Sequence, residues 1–242
     1  MILKVYLIIL AYFLLGVLGF CFINRKKEKS KAIKSWKKTF IYFIVINIVA
    51  LSIVINPVVF SVLASIVIVA GFLEIFSLFR LSQHENKSLF IVALMIFILL
   101  AAGFFCFSLV KQELVFYTFA ITSIFDSFSQ ITGELVGRKK LIPGISPNKT
   151  TEGFIGGLLV ATASGVILKG LIGTSSGKAF LLAAGIAVFA FLGDMAASFY
   201  KRSYGVKDFN NLIPENGGFL DRFDSLLASG FLVAILSFLK FI

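Results

Sequence analysis

Histidine and tryptophan occur once each in this chain, cysteine twice and proline four times among 242 residues. The lone histidine, His84, falls in a charged loop with no fixed partner, so it reads as a solvated side chain outside any site. Cys21 and Cys106 both lie within apolar runs, without a CxxC spacing or a histidine nearby. They read as small packing residues, which excludes a disulfide framework and a thiolate metal centre. Pro57, Pro143, Pro147 and Pro214 all fall in or beside predicted loops, as the missing N–H of proline requires. Charge is scarce as well. Only 14% of residues are charged, against about a quarter in soluble domains. A soluble globular fold is thereby excluded.

What is present is apolar. Hydrophobic residues make up 59% of the chain, Phe alone fills 29 positions, and the mean hydropathy is +1.00. Apolar runs long enough to cross a bilayer recur along its length. The reading is an all-α integral membrane protein, a polytopic bundle of about eight transmembrane helices with the N-terminus outside. The spans are predicted at Met1–Ile23, Thr39–Ile55, Val58–Phe79, Leu89–Val110, Glu113–Leu135, Phe154–Ile172, Ala179–Tyr200 and Phe219–Ile242. The first lacks the short apolar region and cleavage site of a secretory signal, so it reads as a retained helix. A single membrane domain, 1–242, is expected. Residues 1–112 supply N-terminal helices and a basic cytoplasmic loop, and 113–242 the half that carries chemistry.

The net charge of +11 invites a nucleic-acid reading until it is mapped. Arg25–Lys38 holds eight basic residues against Glu28 and ends near Trp36, as an interfacial segment on anionic lipid does. With the N-terminus outside, 18 of the 23 basic residues lie in loops on the inner side. That asymmetry follows the positive-inside rule, leaves no nucleic-acid patch, and turns both chemically rich loops toward the cytoplasm.

Those loops are 137–153 and 198–224. The latter reads S-F-Y-K-R-S-Y-G-V-K-D-F-N-N-L-I-P-E-N-G-G-F-L-D-R-F-D and alternates four basic with four acidic residues between oily flanks. Ionisable groups near hydrocarbon are costly and are retained for function. Asp194, Ser198 and Lys201 follow one another at i, i+4 and i+7 on one helical stripe. Asp221 and Asp224 share a face at the start of the last helix. Three carboxylates brought together need neutralising, and Mg²⁺, which takes one or two carboxylates plus phosphate oxygens, does so economically. Lys201, Arg202 and Arg222 suit phosphate, and Gly217-Gly218 would admit a close backbone approach. In the other loop Ser146, Lys149 and Thr150 precede a helix start, where anions bind, so a triphosphate fits between the two loops. Glu74 and Asp126, single acids within apolar runs, are further candidates. Interfacial salt bridges would explain any one of these pairs, but not the whole set.

The 198–224 stretch, together with F-D-S, G-R-K, S-P-N-K-T-T-E-G-F-I-G-G and G-D-M-A-A-S in that order, resembles the phosphatidate cytidylyltransferases (CDP-diacylglycerol synthases) over roughly Asp126–Ser225. The resemblance implies a membrane enzyme transferring CMP from CTP to phosphatidate or another lipid phosphate, giving a CDP-lipid and pyrophosphate. It implies metal ligation by Asp194, Asp221 and Asp224, with a second cation left open. It implies phosphate contacts from Lys149, Lys201, Arg202 and Arg222, and makes Asp208 a further acid of the site. One departure stands out: the family has Gly-His-Gly-Gly where this chain has Glu215-Asn216-Gly217-Gly218. Asn216 can orient a phosphate but cannot exchange a proton. A CTP-dependent lipid-alcohol kinase of the polyprenol type, or a non-catalytic membrane protein retaining the fold, stays open as an alternative, as does a homodimer.

Overall fold

The computed structural model describes residues 11–19, 21, 25, 29–82, 86–212 and 217–242; His84, Glu215 and Asn216 lie outside them. Helical backbone at 11–19 (α1) is followed by α2 (Lys29–Ile55), α3 (Pro57–Leu81), α4 (Lys87–Ser108) and α5 (Gln112–Val136). Then come strands β1 (Lys140–Ile142) and β2 (Ser146–Thr150), α6 (Thr151–Ile167) with a 3-10 turn at Leu168–Leu171, α7 (Ser176–Ser203) and α8 (Leu220–Phe238).

Local chemistry sets the breaks. Asn56 caps α3 by accepting Val58 N–H at 2.9 Å, and Pro57 takes the first helical position, where its missing donor costs nothing. Thr150 caps α6 through Gly153 N–H at 3.1 Å, and Ser175 caps α7. Two features depart most from the sequence reading. α2 begins at Lys29, ten residues early, because lysine is a good helix former and its charge does not end a helix. The loop expected at 137–153 contains a short antiparallel hairpin, with Ile142 opposite Ser146 and Lys140 opposite Thr150. Pro147 is accommodated because a two-stranded sheet has only edge strands.

Among the described residues five helices, α3 to α6 (with its 3-10 turn) and α7, are long and apolar enough to cross a membrane, and α2 contributes the shorter apolar stretch Thr39–Ile55. α8 carries Asp221, Arg222 and Asp224 at its start. Outward faces are oily: Val58, Val62, Val69 and Leu73 on α3, and Met95, Ile98 and Leu99 on α4, are exposed. Lipid is the solvent that suits such faces. The interior joins α2 to α8 in one core, where Phe60 packs edge-on against Phe104 and Phe107 at centroid distances of 6.3 and 6.1 Å. Polar side chains bridge helices inside it: Tyr117 donates to Ala179 O at 3.0 Å, and Thr122 and Ser229 hydroxyls meet at 2.9 Å.

Small residues set how closely the last four helices approach. A β-carbon on Gly157 would lie 2.7 Å from Ser129 Cβ and 2.9 Å from Phe125 O, so α6 lies directly on α5. At Gly193 the neighbours would be Asp224 O and Ala228 Cβ, at 2.5 and 2.6 Å, so α7 and α8 touch beside Asp194. These contacts bring Asp126, Asp194 and Asp224, one from each of α5, α7 and α8, around a common space.

Candidate active site

That space is a cavity of about 1080 Å³, at the top of the range for small-molecule sites. From α5 it takes Asp126; from the hairpin, Ser146, Lys149 and Thr150; from α7, Asp194, Ser198, Lys201 and Arg202. Asp208 lines it from the following loop, and Asp221, Arg222 and Asp224 from α8. Asp126, Asp194 and Asp224 are within electrostatic reach of one another, with Lys149, Lys201 and Arg222 as opposing charges. The spacing read on α7 is realised: Ser198 Oγ donates to Asp194 Oδ1 at 3.2 Å.

The individual pairings are more specific than spacing shows. Lys149 Nζ meets Asp194 Oδ2 at 2.5 Å and lies over the Phe191 ring, tying the hairpin to α7. Lys201 Nζ meets Asp221 Oδ1 at 2.5 Å in a pair with almost no solvent contact. Asp221 Oδ2 accepts Phe209 N–H at 2.9 Å and Gly218 N–H at 2.8 Å. Asp221 is thus satisfied by three donors from the chain itself. Asp224 differs, its Oδ1 accepting the adjacent Ser225 N–H at 2.7 Å. Arg222 Nε is buried without a hydrogen-bond partner, while the residue lines the cavity.

Arg202 spends two donors on backbone, Nε to Ile145 O at 3.2 Å and Nη1 to Val206 O at 2.9 Å. It pins the hairpin turn to the loop after α7. Glu152 pins the hairpin's other end by accepting the N–H groups of Arg138 and Lys139. Gly217 and Gly218 were expected to approach a phosphate; what they approach is carboxylates. Gly217, at φ +79°, lies between Asp208 and Asp221, and Gly218 packs on Glu74. Such positive φ favours glycine, which adopts it without steric cost. Asn216 lies outside the described residues.

Among the described residues, no three His, Cys, Asp or Glu side chains form a ready metal-binding set. The donors fit a hard divalent cation in part. Asp194 and Asp224 line the cavity, but Asp194 is paired there with Ser198 through Oδ1 and with Lys149 through Oδ2, and the oxygens of Asp221 are engaged by Lys201 and backbone N–H groups. Two lining residues carry no sequence signal. Tyr42 of α2 and Tyr12 of α1 close the cavity on the N-terminal side, and isolated tyrosines in apolar runs do not announce such a role.

A model of the cytidylyltransferase family matches residues 111–240. The chain is similar to a phosphatidate cytidylyltransferase of Staphylococcus haemolyticus, at 40% identity over 115 residues that cover 47% of this chain and 44% of the relative. The protein of that name from Bacillus subtilis is 41% identical over 115 residues, covering 47% and 43%. Its counterpart in Staphylococcus epidermidis is 38% identical over 130 residues, covering 52% and 50%. The chain thus spans about half the length of the curated relatives it matches. With more than half of its own length matched, from the start of α5 through α8, the chain belongs to the cytidylyltransferase family.

Proposed function

We propose that this protein is a phosphatidate cytidylyltransferase, joining the CMP moiety of CTP to a lipid phosphate at the cytoplasmic face of the membrane. The observation that carries the reading is one cavity in which Asp126, Asp194 and Asp224 face Lys149, Lys201 and Arg222. Its volume accommodates a nucleotide and a lipid headgroup side by side. An oxygen of the lipid phosphomonoester attacks the α-phosphorus of CTP; the bond from that phosphorus to the β-bridging oxygen breaks, and pyrophosphate leaves. A phosphomonoester is largely dianionic at neutral pH, so the attacking oxygen carries no proton for the protein to remove. Among the described residues no histidine lines the cavity, which suits that chemistry, and Asn216 in place of the family's histidine is no obstacle to it.

The chain's own task is therefore positioning and charge neutralisation. Arg222, with a buried and unmatched Nε, is placed to take a phosphate oxygen from inside the cavity. Lys149 reaches in from the hairpin, part-exposed in its pair with Asp194, and would trade that partner for a phosphate oxygen. Lys201 is held rigid by Asp221 and adds a fixed positive charge. Mg²⁺ would be held by Asp194 and Asp224, with Asp221 adding at most a remaining lone pair; when bound, it supplies further neutralisation of phosphate charge.

The test is purified protein incubated with Mg²⁺, CTP labelled either in the cytosine or in the γ-phosphate, and either phosphatidate or, in parallel, a polyprenol. CDP-lipid carrying the base label, with released labelled pyrophosphate, is the expected result. Transfer of the γ-label to a lipid alcohol would instead assign the kinase reaction. No nucleotide-dependent product, with CTP still bound, would mark a protein that keeps the fold without the chemistry.

A further inference from the structure

Glu74 lies in α3, outside the stretch that matches the family, and its residue is only 3% exposed. A carboxylate buried in a membrane-spanning helix is costly unless donors surround it. Three do. Oε1 accepts Asn210 Nδ2 at 2.6 Å and Phe219 N–H at 2.8 Å, and Oε2 accepts Leu220 N–H at 2.7 Å. Phe219 and Leu220 open α8, and Phe219, at the N-cap position, makes no side-chain cap. The first N–H groups of a helix have no partner within it, and negative charge there also opposes the helix dipole favourably. A distant helix thus supplies the cap that α8 lacks. Gly218 lies so near this carboxylate that a β-carbon would overlap Glu74 Oε1. The chain entering α8 is therefore clamped between two acids: Glu74 from α3, and Asp221, which takes Gly218 N–H from within α8. Glu74 itself does not line the cavity.

We infer that Glu74 is a positioning residue of the active site, capping α8 from outside and so fixing the turn that presents Asp221, Arg222 and Asp224. The inference rests on the cavity being the cytidylyltransferase site. Glu74→Gln is the informative change. The amide keeps the volume, but its NH₂ must face either Leu220 N–H or the Asn210 and Phe219 donors, so at least one contact becomes donor against donor. Glu74→Asp keeps the charge on a shorter arm.

Wild type, E74Q and E74D, purified in detergent, are compared by amide hydrogen exchange, by CTP-binding stoichiometry, and by steady-state kinetics with CTP and phosphatidate. In E74Q, exchange at Phe219 and Leu220 should rise about tenfold or more while the later turns of α8 keep their protection. One CTP site per chain should remain. kcat should fall about 10- to 100-fold, the scale of hydrogen bonds to a charged group, with KM for CTP changed less than about threefold. E74D should recover part of both losses. Unchanged exchange or unchanged kcat in E74Q overturns the inference, and so does loss of CTP sites in proportion to lost turnover, which marks misfolding. Should the wild type make no CDP-lipid, the functional reading fails on its own, and the exchange result still decides whether Glu74 holds α8.

Discussion

Asp221 and Asp224, three residues apart on one face of α8, are equivalent in sequence and unequal in the fold. Asp221 is anchored by Lys201, Phe209 N–H and Gly218 N–H, whereas Asp224 faces the cavity beside Asp126 and Asp194. Asparagine at 221 would strip a buried ammonium of its countercharge and set an amide donor against other donors. A loss of about 3–5 kcal/mol is expected, the usual cost of breaking a buried ion pair. Asparagine at 224 removes a charge from the cavity and leaves that clamp whole. Turnover should disappear in both variants. The thermal midpoint in detergent should fall sharply for Asp221→Asn and move by only a few degrees for Asp224→Asn; equal shifts would contradict the separate roles. The gathering of these acids was legible from their spacing. Their division of labour was not, because the donors to Asp221 are backbone groups 12 and 3 residues earlier, placed by the loop's path. Arg202 repeats the lesson: its type suggested phosphate, and its donors reach the carbonyls of Ile145 and Val206.

Among the helices, the decisive contact is where α7 crosses α8. Gly193 precedes Asp194, and any side chain there would strike the backbone carbonyl of Asp224. Gly193→Ala must therefore push the two helices apart where their carboxylates oppose one another. Overpacking of this kind costs about 1–3 kcal/mol, and turnover should fall at least about tenfold through misplacement alone. Gly185→Ala on the same helix is the control, since its β-carbon would meet only the flexible tip of Leu232 at 3.1 Å. Assaying both for CDP-lipid formation and thermal midpoint checks the claim; equal losses would refute it. The helices were readable from their apolar runs and from Asn56-Pro57. The hairpin was hidden, because Lys140–Ile142 and Ser146–Thr150 are short, lack alternation, and contain or adjoin proline. Close helix approach was hidden too, since a glycine does not declare which neighbour it admits.

Over the whole molecule, the fold gathers both chemically rich segments at one end of the bundle. The hairpin joins α5 to α6, the loop 204–219 joins α7 to α8, and residues of both line one cavity. The turn between α6 and α7, near Ser176, lies one span away at the opposite end. Basic residues in the sequence are concentrated in the segments expected on the hairpin's side, and such bias predicts an orientation in the bilayer. Single cysteines placed at Gly144 and Gly177, both exposed with no side-chain neighbour within 4 Å, make this testable once Cys21 and Cys106 are replaced by serine. A membrane-impermeant maleimide should label G177C in intact cells and G144C only in inverted vesicles. The reverse pattern would open the cavity away from the compartment that holds nucleoside triphosphates. CTP could then not reach Lys149 and Arg222, and the proposed reaction would have no substrate.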